Sequence, residues 1–592
     1  DAKPGYVPML HFQVILSFGP PGGPKLFDAS GGGNLVEAGE IRQGGLGDCY
    51  LLGALQVLAS KDEDILNIFP QVNSKMQEYN EQGIYACRLY RGGVWRIVVV
   101  DDWIPVGQNG KPAFAQLPKD SCEFWPLIVE KAYAKMNGSF EAIEGGHENI
   151  ALQDLTGGVA YSINLGGQLS EEWSGPEGTR KLWSYLLARL DQGAHMGVSK
   201  RKGGAGRSDQ IICFHAYGVL RLTEFNSENL VQVRNPWGQG KEWDGKFGDS
   251  DPIWGTMSDS GKEHLGYSRE EDGTWWMPFE DFLSNFDEIS ICRMMVGFRR
   301  HAVLGEWKGE SAGGIQEKHL CPQYHLHLEE DSHVVIELRQ PSNRLSGKEY
   351  EAIAPVIAAH ADRQNNVFLD PRMEGSVFMK ARSSVVELDL TASEGPYSIS
   401  PVAWSQGYES RYDLEVYTSG RSTLEPCKDD DLPKDVVTGE LLKGDVLCFN
   451  KPDGTRAYVL KKNQEAYKLS TAPKCTHCNE PITGKFYNTD DGKIREECYD
   501  NYRLQKAPKC FLCSKPISDV GGLFSGTYYT IEDKGQLHEE CHDEYRLSAA
   551  PKCFLCSKPI SDVGGLFSGT YYTIEDKGKL HEECHDAFRN TA

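Results

Sequence analysis

The sequence has no apolar run long enough to cross a bilayer as a helix, so we predict no membrane-spanning segment. It also has no Asp-x-Asp-x-Asp-Gly loop, which excludes an EF-hand of that form. Positive charge is outnumbered, since 62 Lys and Arg residues stand against 85 Asp and Glu residues and the formal charge is −23. Nucleic-acid binding depends on Lys and Arg neutralising phosphates, which argues against a nucleic-acid partner. An acidic surface suits cations, although solubility alone also accounts for it.

The length of 592 residues is too great for one core, and at about 100–200 residues per domain it predicts several domains. An apolar share of 40% with 25% charged residues is typical of a soluble globular protein. Residues 9–18 are interrupted by His11 and Gln13, which favours a buried strand over a signal segment. Residue 1 is Asp rather than Met, so the sequence leaves any targeting peptide open.

Cysteine is distributed unevenly. Eight of the 17 cysteines lie singly before residue 470, and nine fall in the last 120 residues as regular pairs. Regular Cys-x2-Cys pairs are typical of metal sites rather than of a disulfide framework. Single cysteines together with such pairs favour a reducing compartment, so we expect a cytoplasmic protein.

Changes of pattern along the chain predict a multidomain α+β protein. A helix over residues 49–60 and a strand over residues 94–100 belong to the first part, and short alternating strands after residue 300 predict a β-sandwich. The predicted segments are a first lobe (1–160), a second lobe (161–297), the sandwich (298–422), a connector with one small hairpin (423–472), and three small modules (473–507, 508–550 and 551–592).

The three terminal modules are copies of one unit. Residues 508–543 recur at 551–586 with a period of 43 residues and one change, Gln536 to Lys579, and residues 473–500 are a shorter, diverged copy. Three thiolates and one imidazole make a closed tetrahedral zinc site that stabilises a small fold. The predicted zinc ligands are Cys510, Cys513, His538 and Cys541 in the 508 module, and Cys553, Cys556, His581 and Cys584 in the 551 module.

The 473 module keeps Cys475, Cys478 and Cys498 but has Arg495 where the other two modules have histidine. Its fourth ligand is left open: His477 and Asp500 lie nearby, and weak or lost zinc is the alternative. All three modules resemble LIM-type half-modules, a family that mostly binds proteins, and they lack the second cysteine cluster of a full LIM domain.

Cys49 lies where a glycine-rich loop, residues 43–48, gives way to the predicted apolar helix. Unpaired N–H groups at a helix N-terminus carry positive potential, which favours a thiolate. Acyl transfer also needs a general acid and a group that orients it. His215 and Asn235 each occur at an apolar strand-like run, in the order Cys, His, Asn that papain-like enzymes share. Gln43 is the candidate donor to an oxyanion hole.

These motifs resemble the calpain family over residues 30–420. The matching segments are residues 43–54, Val99-Val-Asp-Asp-Trp-Ile-Pro, residues 123–146, His215-Ala-Tyr and Arg234-Asn-Pro-Trp-Gly. The resemblance implies a two-lobed papain-like protease core followed by a C2-like β-sandwich. It also implies limited endoproteolysis of protein substrates by Cys49, His215 and Asn235, with Gln43 in the oxyanion hole and Trp237 shielding the His–Asn pair. Tyr50 stands where the family usually has Trp.

The same resemblance implies calcium as an activator. The first-lobe calcium site would use Glu40, Glu141 and nearby backbone carbonyl oxygens, and the second would use Glu242, Asp249 and Asp272. Two departures predict weaker or differently connected activation: Thr274 stands where the family usually has a carboxylate, and Ala38 where it commonly has Arg. Because no EF-hand loop follows the sandwich, a penta-EF-hand small subunit is not implied.

Two functions therefore remain. The first is a calcium-regulated cysteine endopeptidase of the cytoplasm. The alternative is a catalytically silent scaffold that binds protein partners through its zinc modules. The presence of Cys49, His215, Asn235 and Gln43 together favours the enzyme.

Overall fold

A computed structural model describes most of the chain. The described residues are 11–18, 23–28, 35–70, 79–118, 121–165, 173–201, 208–240, 242–270, 272–359, 378–427, 434–517, 528–560 and 571–590. The chain divides into two compact units, unit 1 up to residue 433 and unit 2 from residue 434. No described helix combines the length and the apolar character that crossing a membrane requires.

The first lobe of unit 1 is built around the apolar helix that begins at Cys49. Its helices are α1 (Cys49–Leu58), α2 (Asp62–Leu66), α3 (Trp125–Asn137) and α4 (Glu148–Thr156). Its strands are β1 (His11–Val14), β2 (Ile84–Arg91), β3 (Val94–Asp101) and β4 (Trp103–Val106). Apart from Cys49, every residue of α1 is buried, as a helix that is apolar on all faces requires. The strand predicted over residues 9–18 ends at Val14, and residues 9 and 10 lie outside the described residues.

The second lobe is an antiparallel sheet with helices on it. The helices are α5 (Gly175–Asp191), α6 (Ile253–Thr256), α7 (Asp259–Leu265) and α8 (Phe279–Asn285). The strands are β5 (Val159–Asn164), β6 (His195–Lys200), β7 (His215–Phe225), β8 (Glu228–Arg234), β9 (Thr274–Pro278) and β10 (Glu288–Arg293). Their order in the sheet is β5-β10-β6-β7-β8-β9. Helix α1 of the first lobe packs against β6 and β7, which brings Cys49 to the beginning of the strand that carries His215.

Two antiparallel sheets form the sandwich. Its strands are β11 (Arg299–Trp307), β12 (Tyr324–Leu328), β13 (Ser332–Arg339), β14 (Ala352–Ala359), β15 (Met379–Lys380), β16 (Ser383–Leu390), β17 (Tyr397–Ala403), β18 (Ser410–Thr418) and β19 (Ser422–Pro426). One sheet has the order β11-β18-β13-β16 and the other β15-β14-β17-β12-β19. Alternate side chains from both sheets, such as Trp307, Ile336 and Ile399, form one apolar core. The predicted α+β fold is confirmed, whereas the exact segment boundaries stay predictions.

Unit 2 repeats a hairpin followed by a helix. The hairpins are β20–β21 (Val446–Asn450, Arg456–Leu460), β22–β23 (Phe486–Thr489, Gly492–Arg495), β24–β25 (Tyr528–Ile531, Gly535–His538) and β26–β27 (Tyr571–Ile574, Gly578–His581). The helices that follow them are α9 (Gln464–Thr471), α10 (Glu496–Lys506), α11 (Glu539–Ala549) and α12 (Glu582–Arg589).

The segment interpreted as a connector holds a fourth copy of this module, residues 434–472, which we call the 434 module. Lys434 bridges Leu441 as Lys474 bridges Pro481 in the 473 module. The same turn precedes the hairpin in both modules, because Gly439 and Asn479 have positive φ and each donates its N–H to the carbonyl oxygen four residues earlier. Sequence reasoning missed this copy because none of its positions equivalent to the zinc ligands is Cys or His: they are Asp435, Thr438, Leu460 and Asn463.

Candidate active site and metal clusters

The loop before Cys49 is held in place by close backbone contacts. Gln43 begins the loop and donates its backbone N–H to the carbonyl oxygen of Pro236 at 2.9 Å. Gly44 lies so close to the segment carrying Phe114 that an added Cβ would be 2.1 Å from the Phe114 carbonyl oxygen. Only glycine fits this approach. The loop therefore delivers Cys49, half-buried, to the first turn of α1.

The Cys49 thiol faces the second lobe. Its sulfur lies beside the backbone N–H of Ala216, the residue after His215. Burial raises the pKa of the Cys49 thiol to about 11, and the nearby carboxyl groups of Glu148 and Asp48 add to this shift. Burial also lowers the pKa of His215 to about 4, and its hydrogen bond with Asn235 only partly opposes that. Burial of each group by itself therefore favours the neutral thiol and the neutral imidazole.

His215 and Asn235 form the pair that the sequence predicts. His215 Nε2 lies 2.8 Å from Asn235 Oδ1, and both residues are almost fully buried. Asn235 Oδ1 also accepts the backbone N–H of Trp237 at 3.0 Å, so this oxygen is an acceptor and His215 Nε2 carries the proton. The other ring nitrogen, Nδ1, keeps its lone pair. Trp237 covers the pair, with its ring centre 4.9 Å from that of His215.

Gln43 connects the two lobes at the same place. Its side-chain amide donates to the Leu46 carbonyl oxygen at 2.6 Å, and its carbonyl oxygen accepts Trp237 Nε1–H at 3.0 Å. An amide nitrogen has two hydrogens, so one donor remains after the bond to Leu46. The structure thus brings Cys49, His215, Asn235, Gln43 and Trp237 into one site.

Buried carboxyl groups around Cys49 are a feature that sequence reasoning missed. Asp48 and Glu130 are buried, and their carboxyl groups interact with each other. Burial raises the pKa of Asp48 to about 7 and that of Glu130 well above its ordinary value. Glu148 is also buried, and neither of its carboxyl oxygens has a hydrogen-bond partner among the described residues. It lies between Gly53 of α1 and Gly197 of β6, where an added Cβ would come within 3 Å of it. No spacing in the sequence signals these contacts.

Replacing Glu148 with Gln is expected to stabilise unit 1 at alkaline pH, by on the order of 1 kcal/mol. Burial, and then the charge of Glu288, raise the pKa of Glu148 well above its ordinary value, so the fold favours the protonated acid. The stability that this acid contributes is present at acid pH and is lost as the pH rises through the raised pKa, whereas glutamine stays neutral. Urea unfolding followed by tryptophan fluorescence from about pH 6 to about pH 9 measures this, because all 12 tryptophans precede residue 434.

The control is the same substitution at Glu144, which is exposed and should leave the pH profile unchanged. Parallel pH profiles for Glu148→Gln and the parent chain would contradict the prediction.

The three carboxylates of the second predicted calcium site lie near one another, although their ligating atoms are not all within 4.8 Å of each other. Glu242 Oε1 accepts the N–H of Gly273 at 2.7 Å, and Asp272 Oδ1 accepts the N–H of Thr274 at 2.7 Å. Burial raises the pKa of Asp249 to about 7, and the charges of Glu242 and Asp272 add to the shift. Asp249 Oδ2 is buried without a hydrogen-bond partner among the described residues. Hard cations take such oxygen ligands, so the donor set fits calcium.

Thr274 at this second site is already engaged. Its hydroxyl accepts a hydrogen bond from Arg234 Nη1 at 2.5 Å, and the same nitrogen lies 3.8 Å from Asp272. A guanidinium therefore neutralises part of the cluster from the side where the family usually has a carboxylate.

The two carboxylates of the first predicted calcium site have different partners. Glu40 accepts Trp125 Nε1–H at 3.1 Å and lies beside Glu123, whose pKa burial and Glu40 raise to about 9. Glu141 is exposed and is hydrogen-bonded to Ser139. This first site stays a prediction.

The 508 and 551 modules each bring their four predicted zinc ligands together. In both, one atom from every ligand lies within 4.8 Å of the others. His538 Nδ1 faces Cys513 Sγ at 3.4 Å while its Nε2 lies 3.0 Å from the Pro516 carbonyl oxygen. That outer hydrogen bond fixes the ring with Nδ1 toward the sulfurs, as zinc-binding histidines require. The ligand set fits tetrahedral zinc.

The string His-Glu-x-x-His occurs at residues 538–542 and again at 581–585. In zinc peptidases both histidines of this string bind one zinc from a single helix face. Here His542 stacks on Tyr529 at 3.9 Å, and His585 stacks on Tyr572 at the same distance. Neither belongs to the clusters with His538 and His581, so these strings do not form a peptidase site.

The 473 module brings together only Cys475, Cys478 and Cys498. His477 and Asp500, the candidates for its fourth ligand, have no ligating atom in this cluster. The neighbouring Arg495 donates from Nη2 to Cys478 Sγ at 3.3 Å.

Comparisons with known proteins agree with this site. The family model described as "Calpain family cysteine protease" matches residues 32–293. The calpain-type cysteine protease DEK1 of Arabidopsis thaliana is 35% identical over 412 residues, which cover 65% of this chain and 18% of that protein. The calpain-2 catalytic subunit of Gallus gallus is 33% identical over 315 residues, covering 49% and 43%. Calpain-A of Drosophila melanogaster is 29% identical over 442 residues, covering 66% and 51%.

The chain spans between a fifth and a half of the length of these relatives. The Cys/His clusters of unit 2 are compatible with LIM-like modules. Residues 32–293, which match the family model, include Cys49, His215 and Asn235. This part of the chain is therefore a cysteine protease domain of the calpain family.

Proposed function

We propose that the chain is a cysteine endopeptidase that cleaves protein substrates through Cys49, His215 and Asn235. The observation that carries the proposal is the hydrogen-bonded His215–Asn235 pair beside the N-terminus of the helix that begins with Cys49, within a calpain-family domain. Each of the three side chains comes from a different element, and α1, packed on β6 and β7, holds them together.

The reaction begins with a proton transfer. Burial opposes either charge alone, but moving the thiol proton of Cys49 to Nδ1 of His215 creates thiolate and imidazolium side by side. The thiolate attacks the substrate carbonyl carbon, and the imidazolium then gives its proton to the leaving amine. Water hydrolyses the resulting thioester, with His215 taking a proton from the water and returning it to the Cys49 sulfur. Asn235 keeps the imidazole in the required orientation and tautomer.

Gln43 serves the oxyanion that forms during this attack. Its remaining amide N–H and the backbone N–H of Cys49, at the first turn of α1, are the donors available beside the sulfur. The hydrogen bond from Trp237 to the Gln43 carbonyl oxygen also connects this amide to the opposite lobe.

Casein, an unstructured protein, tests the proposal. The intact chain is incubated with it in millimolar calcium or in a calcium chelator, and iodoacetamide-labelled cysteines are mapped by mass spectrometry. Cleavage that stops when Cys49 is alkylated supports the enzyme. Equal cleavage in the chelator would retain the enzyme and discard calcium control. No cleavage under either condition would favour the scaffold alternative, with unit 2 as the binding part.

We further propose that calcium binds at Glu242, Asp249 and Asp272. These carboxylates repel one another, and a bound calcium ion would supply the positive charge that lets all three ionise. Glu40 and Glu141, with nearby backbone carbonyl oxygens, remain a predicted first site.

Calcium is expected to increase the free energy of unfolding of unit 1, by about 2.7 kcal/mol at a 100-fold excess over the dissociation constant. The thermal midpoint of unit 1 should rise accordingly. Asp249→Asn should remove most of this gain, because the buried Asp249 carboxyl loses its negative charge. The gain should also shrink below the raised pKa of Asp249, about 7, where protons compete with calcium. Tryptophan fluorescence with calcium or with a chelator measures it. Asp259→Asn, at a fully exposed position, is the control, and an equal calcium response in both variants would refute the site.

Zinc in the 508 and 551 modules is proposed as structural. Bound zinc would supply the folding free energy that such small apolar clusters lack, and its four protein ligands leave no open position. We also propose a reducing compartment such as the cytoplasm, since single cysteines occur together with Cys-x2-Cys pairs of metal-site spacing. A binding partner of unit 2 would be a protein, as for LIM-like modules.

A further inference from the structure

We infer that the 473 module binds no zinc, because Arg495 stands in place of the histidine ligand and its guanidinium donates to two of the three thiols. The inference rests on the proposed zinc sites of the 508 and 551 modules, which supply the comparison. It changes the expected zinc content of the chain from three ions to two.

Arg495 occupies the position of the histidine ligand in the module. It is the last residue of the hairpin and precedes the helix, as His538 and His581 do in their modules. Its Nη2 lies 3.3 Å from Cys478 Sγ and 3.9 Å from Cys498 Sγ, and its backbone N–H donates to Cys475 Sγ at 3.4 Å. The guanidinium therefore contacts two of the three sulfurs that zinc would bind, and the backbone N–H contacts the third.

Guanidinium chemistry excludes the role of a ligand. Arginine stays protonated in proteins and has no lone pair to give a metal, so it donates hydrogen bonds and carries one positive charge. A zinc ion at the same centre would have to expel that charge and would keep only three protein ligands. With the guanidinium present, the thiols need not all ionise.

The remaining guanidinium nitrogens of Arg495 have weaker partners. Its Nη1 lies 3.8 Å from the exposed Glu497 at the beginning of α10, and its buried Nε has no hydrogen-bond partner among the described residues. Among the described residues, no His, Asp or Glu side chain brings a ligating atom to the three thiols.

The 434 module shows independently that this fold forms around something other than zinc. Asp435, at the position of Cys475, is buried and accepts the N–H groups of Val437 at 2.9 Å, Thr438 at 2.8 Å and Leu460 at 2.6 Å. The Leu460 bond corresponds to the Arg495 backbone bond to Cys475. A carboxylate thus satisfies the backbone donors that thiolates satisfy elsewhere. The four modules therefore have three kinds of centre: a carboxylate, a guanidinium among thiols, and two Cys3His sets.

Zinc content tests the inference directly. The full chain is purified with zinc, passed through buffer containing a weak chelator, and its zinc per chain is measured by plasma mass spectrometry. We expect two zinc ions in the parent chain. Arg495→His should raise the number to three, and the reverse change, His538→Arg, should lower it to one.

Alkylation by N-ethylmaleimide gives a second readout that does not depend on a variant. Cys513 and Cys556 are exposed, whereas Cys478 is only half-buried. Exposure alone predicts faster labelling of Cys513 and Cys556. We expect the reverse: Cys478 reacts before any chelator is added, and Cys513 and Cys556 react only after a strong chelator removes zinc.

Three zinc ions in the parent chain, or protection of Cys478 that a strong chelator abolishes, would overturn the inference and leave the other zinc sites intact. If the parent has three ions and His477→Ala lowers the number to two, His477 is the fourth ligand and Arg495 does not replace the ion. No zinc in any form of the chain would instead refute the proposed sites of the 508 and 551 modules, and the inference with them.

Discussion

Replacing Cys49 with alanine is expected to lower casein cleavage by at least about 10⁴-fold, because no other group of the site can form the covalent intermediate. The Cys49 sulfur lies beside the backbone of Ala216, next to His215, whose Nε2 is bound to Asn235. The substitution therefore removes the sulfur that the proposed mechanism requires. Initial rates of casein cleavage in millimolar calcium measure the loss.

The fold should not change, since alanine fits the first turn of a helix and the lost thiol is only half-buried. The tryptophan unfolding midpoint of Cys49→Ala should therefore match that of the parent. Cys122→Ala, at a half-buried thiol in the same lobe, is the matched control and should retain full activity. Substantial cleavage by Cys49→Ala would show that the activity comes from elsewhere.

Replacing Arg339 with alanine is expected to destabilise unit 1 by about 3–5 kcal/mol, because it leaves buried carboxylates without their cation. The Arg339 side chain is 1% exposed. It pairs with Glu337 at 2.8 Å and with Glu415 at 2.6 Å, and with Asp413 as well. Its Nη2 also donates to the hydroxyl of Tyr90 in the first lobe at 3.2 Å, so this cluster joins the sandwich to the protease core.

The loss should depend on pH. Burial already raises the pKa of Glu337 to about 7 while Arg339 opposes that shift, so removal of the guanidinium raises it further. The variant should therefore lose more stability as the pH rises and recover part of it in acid, where the carboxyl groups bind protons. Urea midpoints from tryptophan fluorescence at several pH values measure both effects.

Arg421→Ala is the control for Arg339, because Arg421 pairs with Glu329 at the surface, where both side chains are more than half exposed. Surface pairs contribute about 0–1 kcal/mol, so this variant should unfold near the parent midpoint. Equal midpoints for Arg339→Ala and Arg421→Ala would mean that the buried cluster does not stabilise the contact between the sandwich and the first lobe.

Much of the active site could be predicted from local features of the sequence. Cys49 follows a glycine-rich loop and begins an apolar helix, and His215 and Asn235 lie at strand ends. Their chemistry and their order can therefore be predicted from the sequence. The zinc ligands can be predicted for the same reason, since their spacing is set within one hairpin and one helix. The first calcium site cannot be predicted in this way, because Glu40 and Glu141 belong to separate loops and the sequence does not show how those loops approach each other.

The 434 module shows why similarity of residues is an incomplete guide. Its turn, hairpin and helix match those of the 473 module, yet Asp435 replaces a cysteine and Leu460 has no polar side chain at all. The fold needs acceptors for a few backbone N–H groups, and several chemistries can provide them.

Sequence patterns alone predict the nucleophile helix, the order of the catalytic residues, the alternating strands of the sandwich and the spacing of the zinc ligands. All of these depend on residues that are neighbours along the chain or repeat with a helical or strand period. Other features appear only in the folded protein: burial shifts the pKa values of Cys49 and His215, Glu148 is buried without a hydrogen-bond partner among the described residues, and Arg339 lies among three carboxylates. Burial and charge at these positions come from contacts between segments far apart in sequence, and no local pattern encodes the distance between them.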